Sequence, residues 1–90
     1  MLIFDEVLSG FRTGLSGMQG YYGVTPDLCT LAKALANGVP IAVLAGRADI
    51  MERLAPAGDV AQSGTYSGHQ FGVAAALATL DELSQPGFYP

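Results

Sequence analysis

The sequence predicts an α/β fold organised around buried strands of a parallel sheet, and three observations carry that prediction. Met1–Phe4, Leu28–Ala32 and Ile41–Gly46 are short apolar runs without polar alternation, the pattern of strands covered on both faces. A helical pattern from Gln70 to Ser84 follows them, after glycine-rich and polar connections. The third observation is compositional. Half of the 90 residues are hydrophobic and 13% are charged, against roughly 25% charged in an average soluble domain. A small free-standing domain has a high surface-to-volume ratio and should be more polar than average. Residues 1–90 are therefore expected to form part of one larger domain, truncated at both ends, with additional protein covering its apolar faces.

The elements follow in order. Met1-Leu2-Ile3-Phe4 ends abruptly in Asp5-Glu6, which puts Asp5 at the carboxyl end of a buried strand. That is where functional groups gather in open α/β sheets; the alternative is a carboxylate capping a turn. Glu6 reads as structural. Ser9–Gly23 carries five glycines but neither the Gly-x-Gly-x-x-Gly spacing nor a Gly-Lys-Ser/Thr ending. It reads as a long irregular connection anchored by Phe11, Tyr21 and Tyr22, and loops of that length tend to serve or cover a site. Thr25-Pro26-Asp27 punctuates the chain before the second strand.

Leu28–Ala32 delivers Lys33, the only lysine, into an apolar run that breaks at Asn37-Gly38-Val39-Pro40. Either Lys33 snorkels to water from a half-exposed helix, or its amine is withdrawn from water and free to form a Schiff base with a carbonyl. Ile41–Gly46 is a third strand, and Ala48–Leu54 a short helix with Asp49 and Glu52 near its start. Pro56-Ala57-Gly58 ends it. Gln62–His69 is a polar loop bracketed by glycine. The final helix is expected to bury Val73, Leu77, Leu80 and Ser84 on one stripe, with Phe71, Ala75 and Ala78 beside it.

Several functions are excluded. Net charge is −4, and Arg12, Lys33, Arg47 and Arg53 are scattered, so there is no basic patch for nucleic acid or anionic lipid. One cysteine, Cys29, permits neither an internal disulfide nor a cysteine-rich metal site; no metal is expected, and Cys29 reads as a buried apolar residue. No apolar run reaches membrane-spanning length and no leader pattern is visible, so the cytoplasm is the expected compartment.

A carboxylate at one strand end, a lone lysine at the next, and the Gly64-Thr65-Tyr66-Ser67-Gly68 loop resemble the pyridoxal-phosphate enzymes of aminotransferase class III. The resemblance rests on Ile3-Phe4-Asp5-Glu6-Val7, Gly10-Phe11-Arg12, Thr25-Pro26-Asp27-Leu28, Leu31-Ala32-Lys33 and Asn37-Gly38. It is closest to the glutamate-1-semialdehyde aminomutase branch in Gly10-Phe11-Arg12, Ala55–Gly58 and Gln85-Pro86-Gly87. Two places depart from that branch: Ala34–Pro40 replaces a run of glycines, and Ser67-Gly68-His69-Gln70 replaces Ser-Gly-Asn-Pro.

The resemblance implies a three-layer α/β/α large domain with the third strand antiparallel, and pyridoxal 5'-phosphate as cofactor. Lys33 would hold the cofactor aldehyde as a Schiff base and move protons. Asp5 would pair with the ring nitrogen so that the ring accepts electrons. Val7 would pack on the ring face, and Thr65 would reach the phosphate in a neighbouring subunit, implying a homodimer. The implied partners are a small-molecule amino donor and a carbonyl acceptor. Arg12 has two readings, a substrate-carboxylate contact or an ion pair with Asp5, Glu6 or Asp27. His69 reads as a helix-start residue. The competing reading from another class is a non-catalytic, stand-alone binding protein.

Overall fold

A computed structural model describes residues 1–90. Its elements are β1 (Ile3–Glu6), α1 (Gly17–Tyr22), β2 (Leu28–Leu31), a 3-10 turn (Lys33–Leu35), β3 (Val43–Gly46), α2 (Ala48–Met51) and α3 (Gln70–Leu83). The three strands form one sheet in the order β1-β2-β3. β1 and β2 are parallel, with Asp5 opposite Thr30 and Glu6 opposite Leu31. β3 returns antiparallel, with Leu31 opposite Val43 and Leu28 opposite Gly46. Parallel pairing requires a long crossover, and the glycine-rich connection supplies it.

The expected long loop holds one regular turn, α1, which Gly23 closes in the left-handed conformation (φ 65°) with its N–H on the carbonyls of Gln19 and Gly20. Tyr21 and Tyr22 are not anchors in this chain: they stack edge to face and lie exposed. Phe11 is half-buried, and the Tyr89 hydroxyl donates to its carbonyl at 2.8 Å.

The base of the sheet is tied by Asp27. Its Oδ2 accepts the Leu2 amide at 2.6 Å, and its Oδ1 accepts Arg47 Nη1 at 2.8 Å. Arg47 also bridges Asp49 at 2.6 Å, joining β3 to the start of α2. One carboxylate thereby links the segments leading into β1 and β2 to the residue after β3.

The core is small. Leu35, Ala36 and Ala76 are buried together, with Phe11, Ile41, Val43, Ala75 and Leu80 packed around them. α3 docks through its small residues Gly72 and Ala76 and, of the stripe read from hydropathy, through Leu80 with Ala75 beside it. Gly72 and Ala76 are buried, whereas Val73, Leu77 and Phe71 are exposed, Phe71 at 77%. A methyl at Gly72 would sit 3.0 Å from the Pro40 carbonyl and 3.3 Å from Ile41 Cβ, so the close approach of α3 needs glycine there.

Candidate functional site

β1 and β2 end side by side, and the chemistry-bearing residues sit at that shared edge. Asp5 lies on β1 beside Thr30 of β2. Its Oδ1 accepts the Thr30 hydroxyl at 3.0 Å and the Val7 amide at 3.1 Å. Both of these hydrogen bonds go to one oxygen, so Oδ2 remains available to a donor from outside the chain. Lys33 lies two residues past the end of β2, and its amine makes no hydrogen bond or ion pair within the chain. It is exposed, so these residues alone do not withdraw the amine from water.

The backbone around Lys33 is strained. Three non-glycine residues have positive φ: Phe11 (66°), Lys33 (37°) and Asn37 (50°). Lys33 and Asn37 line one cavity of about 610 Å³, and Arg12, next to Phe11, lines it with them. Each such residue costs on the order of 1–3 kcal/mol and persists only where the surrounding structure enforces it. Two of the three, Lys33 and Asn37, converge on that cavity, which Phe11, Asp5 and Val7 do not line.

Of the two readings of Arg12, the ion pair fails. The expected ion pair with Asp5, Glu6 or Asp27 is absent: Asp27 is taken by Arg47, and Arg12 Nε donates to the Leu8 carbonyl at 2.6 Å. Arg12 instead shares the cavity of Lys33, whose remaining lining (Ala34, Asn37, Gly38, Val39, Pro40 and Ile41) carries no carboxylate. The sequence left the two readings open, because the turn that carries Arg12 to Lys33 depends on contacts distant in the chain.

Glu6 occupies the face opposite Asp5, as alternation along a strand requires. It is 2% exposed. Burial pushes its carboxyl up, but hydrogen bonds from the Gln19 side chain, the Met18 amide and the Ser9 hydroxyl outweigh burial and hold it below the usual range. Its structural reading therefore stands on geometry.

Thr65 lies in an exposed turn outside the Lys33 cavity. The neighbouring Gly64, Tyr66 and Ser67 border a separate pocket with Pro40–Val43. His69 does precede α3, but it caps no amide and stacks on Tyr66 at 5.1 Å. Cys29 is buried, and no group of His, Cys, Asp or Glu residues could hold a metal ion. No helix is long and apolar enough to cross a membrane.

A free primary amine and a carboxylate oxygen at adjacent strand ends fit a cofactor that has an aldehyde and a protonated ring nitrogen. Comparison with known proteins agrees. The chain is 56% identical over 89 residues to a glutamate-1-semialdehyde 2,1-aminomutase of Bordetella avium, covering 99% of this chain and 21% of that protein. It is 54% identical over 85 residues to the aminomutase of Pyrobaculum islandicum, covering 94% of this chain and 20% of that one. Among solved structures, an omega-transaminase from Sphaerobacter thermophilus superposes with a TM-score of 0.82 at 34% identity, over 91% of this chain and 19% of that one. A transaminase with bound pyridoxal phosphate matches with the same TM-score at 31% identity, over 93% and 20%. The chain thus spans about a fifth of the length of the relatives it matches. The family profile described as aminotransferase class III runs across residues 1–89, and on that match this chain belongs to the class III aminotransferases.

Proposed function

We propose that these residues supply the lysine-and-aspartate half of a pyridoxal-phosphate site in a longer class III enzyme that transfers an amino group from a small-molecule donor to a carbonyl acceptor. The observation that carries this reading is the placement of Asp5 and Lys33 at the carboxyl ends of paired parallel strands, with Lys33 unpartnered in a strained turn. Bound there, the cofactor supplies an electron sink for the bond broken at the substrate carbon. Lys33 would hold the cofactor aldehyde and carry a proton at Nζ. Asp5 would offer Oδ2 to the ring nitrogen, while Thr30 and Val7 fix the orientation of its carboxylate. Val7 is the side chain for the ring face. Arg12, with no carboxylate partner, gives the cavity a cationic wall for an anionic group of the substrate. Thr65 serves the phosphate of a second subunit, which makes the enzyme a homodimer, and cytoplasmic location accords with the single cysteine.

The test is borohydride reduction of the whole protein followed by peptide mass analysis. The cofactor mass is expected on the peptide containing Lys33, and its loss is expected in Lys33→Ala. A cofactor trapped on another lysine would overturn the assignment. A second reading, an aminomutase that moves the amino group within one molecule, is favoured by identities above 50% to proteins of that name. Turnover of glutamate-1-semialdehyde without an added amino donor decides between the two.

A further inference from the structure

We propose that Glu6 is a positioning residue that sets the Arg12 wall of the Lys33 cavity. This inference rests on the cofactor-site reading above and adds a residue whose side chain lies on the other face of the sheet. The geometry points to Glu6 because one buried carboxylate pins both ends of the arch that carries Phe11 and Arg12. On the outgoing side, the Ser9 hydroxyl donates to Oε1 at 3.2 Å, and beside it the Gly10 amide donates to the backbone carbonyl of Glu6 at 3.0 Å, a bond that does not involve the carboxylate. On the returning side, the Met18 amide donates to Oε1 at 2.6 Å and Gln19 Nε2 donates to Oε2 at 2.9 Å. A loop whose ends meet on one group is a closed, self-packed unit, and the position of its apex follows from that closure.

The returning side leaves no slack. Gly17 has φ 59°, and a methyl group there would sit 2.7 Å from Glu6 Oε1. Arg12 hangs from the pinned outgoing side: its amide donates to the Ser9 carbonyl at 3.2 Å and its Nε to the Leu8 carbonyl at 2.6 Å. Ser9 is therefore held by Glu6 and in turn holds Arg12. Removing the carboxylate leaves three donors without their acceptor, and the arch is free to swing Arg12 out of the cavity. The burial of Glu6 is thereby explained by what it orders, since it touches neither Lys33 nor its cavity.

The experiment compares Glu6→Ala and Glu6→Gln in the whole protein. Gln retains an acceptor oxygen for Ser9 and Met18, and Gln19 can turn its own amide to meet the new NH2 group, so it should rescue what Ala loses. Two readouts are taken. The first is the rate of trypsin cleavage after Arg12, expected to rise about tenfold or more in Glu6→Ala and to return toward wild type in Glu6→Gln. The second is steady-state kinetics with the carboxylate-bearing glutamate-1-semialdehyde. KM is expected to rise about tenfold in Glu6→Ala, the factor that accompanies loss of roughly one net hydrogen bond, while kcat changes much less. Should Glu6→Ala not fold, Ser9→Ala and Gln19→Ala each remove one donor and are expected to shift cleavage and KM in the same direction, by less.

A lowered melting temperature with unchanged cleavage after Arg12 and unchanged KM would overturn the proposal and leave Glu6 a residue of stability alone. Borohydride labelling of Lys33 in the wild type separates the two layers. Labelled Lys33 with unmoved KM sinks the role of Glu6 only, whereas unlabelled Lys33 sinks the cofactor reading and this inference with it.

Discussion

Neighbouring carboxylates in this chain have opposite assignments, and strand geometry is the cause. Asp5 and Glu6 are adjacent, so they project to opposite faces of β1. Asp5 keeps one oxygen open, while Glu6 is enclosed by three donors. The donors around Glu6 and the Arg47 and Leu2 groups around Asp27 favour the ionised form, so both carboxyls titrate below their usual range. A group depressed in the folded state contributes stability above its unfolded pKa and loses it as pH falls through the folded value. The melting temperature of the whole protein is therefore expected to fall as pH drops through and below the ordinary carboxylate range of about 4, and to fall less in Glu6→Gln. Melting curves at stepped pH check this; equal losses in the two proteins would remove Glu6 from the account. The sequence marked Asp5 and Lys33 because each follows an apolar run directly. It left Arg12 between a substrate contact and an ion pair, because the loop that carries Arg12 is closed by residues far apart in the chain.

At the scale of elements, β1 and β2 were legible to within two residues, since buried parallel strands require uninterrupted apolar runs and little else does at that length. The start of β3 was read at Ile41 but pairing begins at Val43; Ile41 packs on the core instead. α2 is shorter than Ala48–Leu54 and passes into turns ahead of Pro56. α3 was placed correctly, and of its expected face Leu80 and Ala75 pack on the core while Val73, Leu77 and Phe71 lie exposed. Hydropathy selects Val73, Leu77 and Phe71, whereas a helix lying close against Pro40 and Ile41 needs its smallest residues at the contact. Gly72→Leu is accordingly expected to destabilise the whole protein by about 1–3 kcal/mol, the usual cost of forcing bulk into a packed contact. Denaturant unfolding measures it, and an unchanged midpoint would mean that α3 packs elsewhere.

At the scale of the molecule, the surface is too large for the mass. The chain exposes 6311 Å², against about 5,000 Å² for a compact monomer of 9.3 kDa. Its radius of gyration is 13.9 Å, against about 12 Å for a compact chain of this length. Met1, Tyr21, Tyr66, Phe71 and Leu77 are each at least 60% exposed, which accords with the low charge content read from the sequence. The 90 residues alone are expected to bind a hydrophobic dye and to melt without a cooperative transition. A sharp, dye-free melt would favour the stand-alone binding protein. How apolar the uncovered faces are was legible from composition; where they lie was not, because that depends on which side of each element meets the sheet.

The left-handed turn at Lys33 carries an evolutionary consequence. The fold would be better served at that position by a residue without a side chain, since glycine adopts φ 37° without the steric penalty borne by every other residue type. Under the role proposed for Lys33, chemistry and folding would select in opposite directions at a single codon: the amine would be kept against the preference of its own backbone, and a glycine there would relieve the strain while ending the reaction.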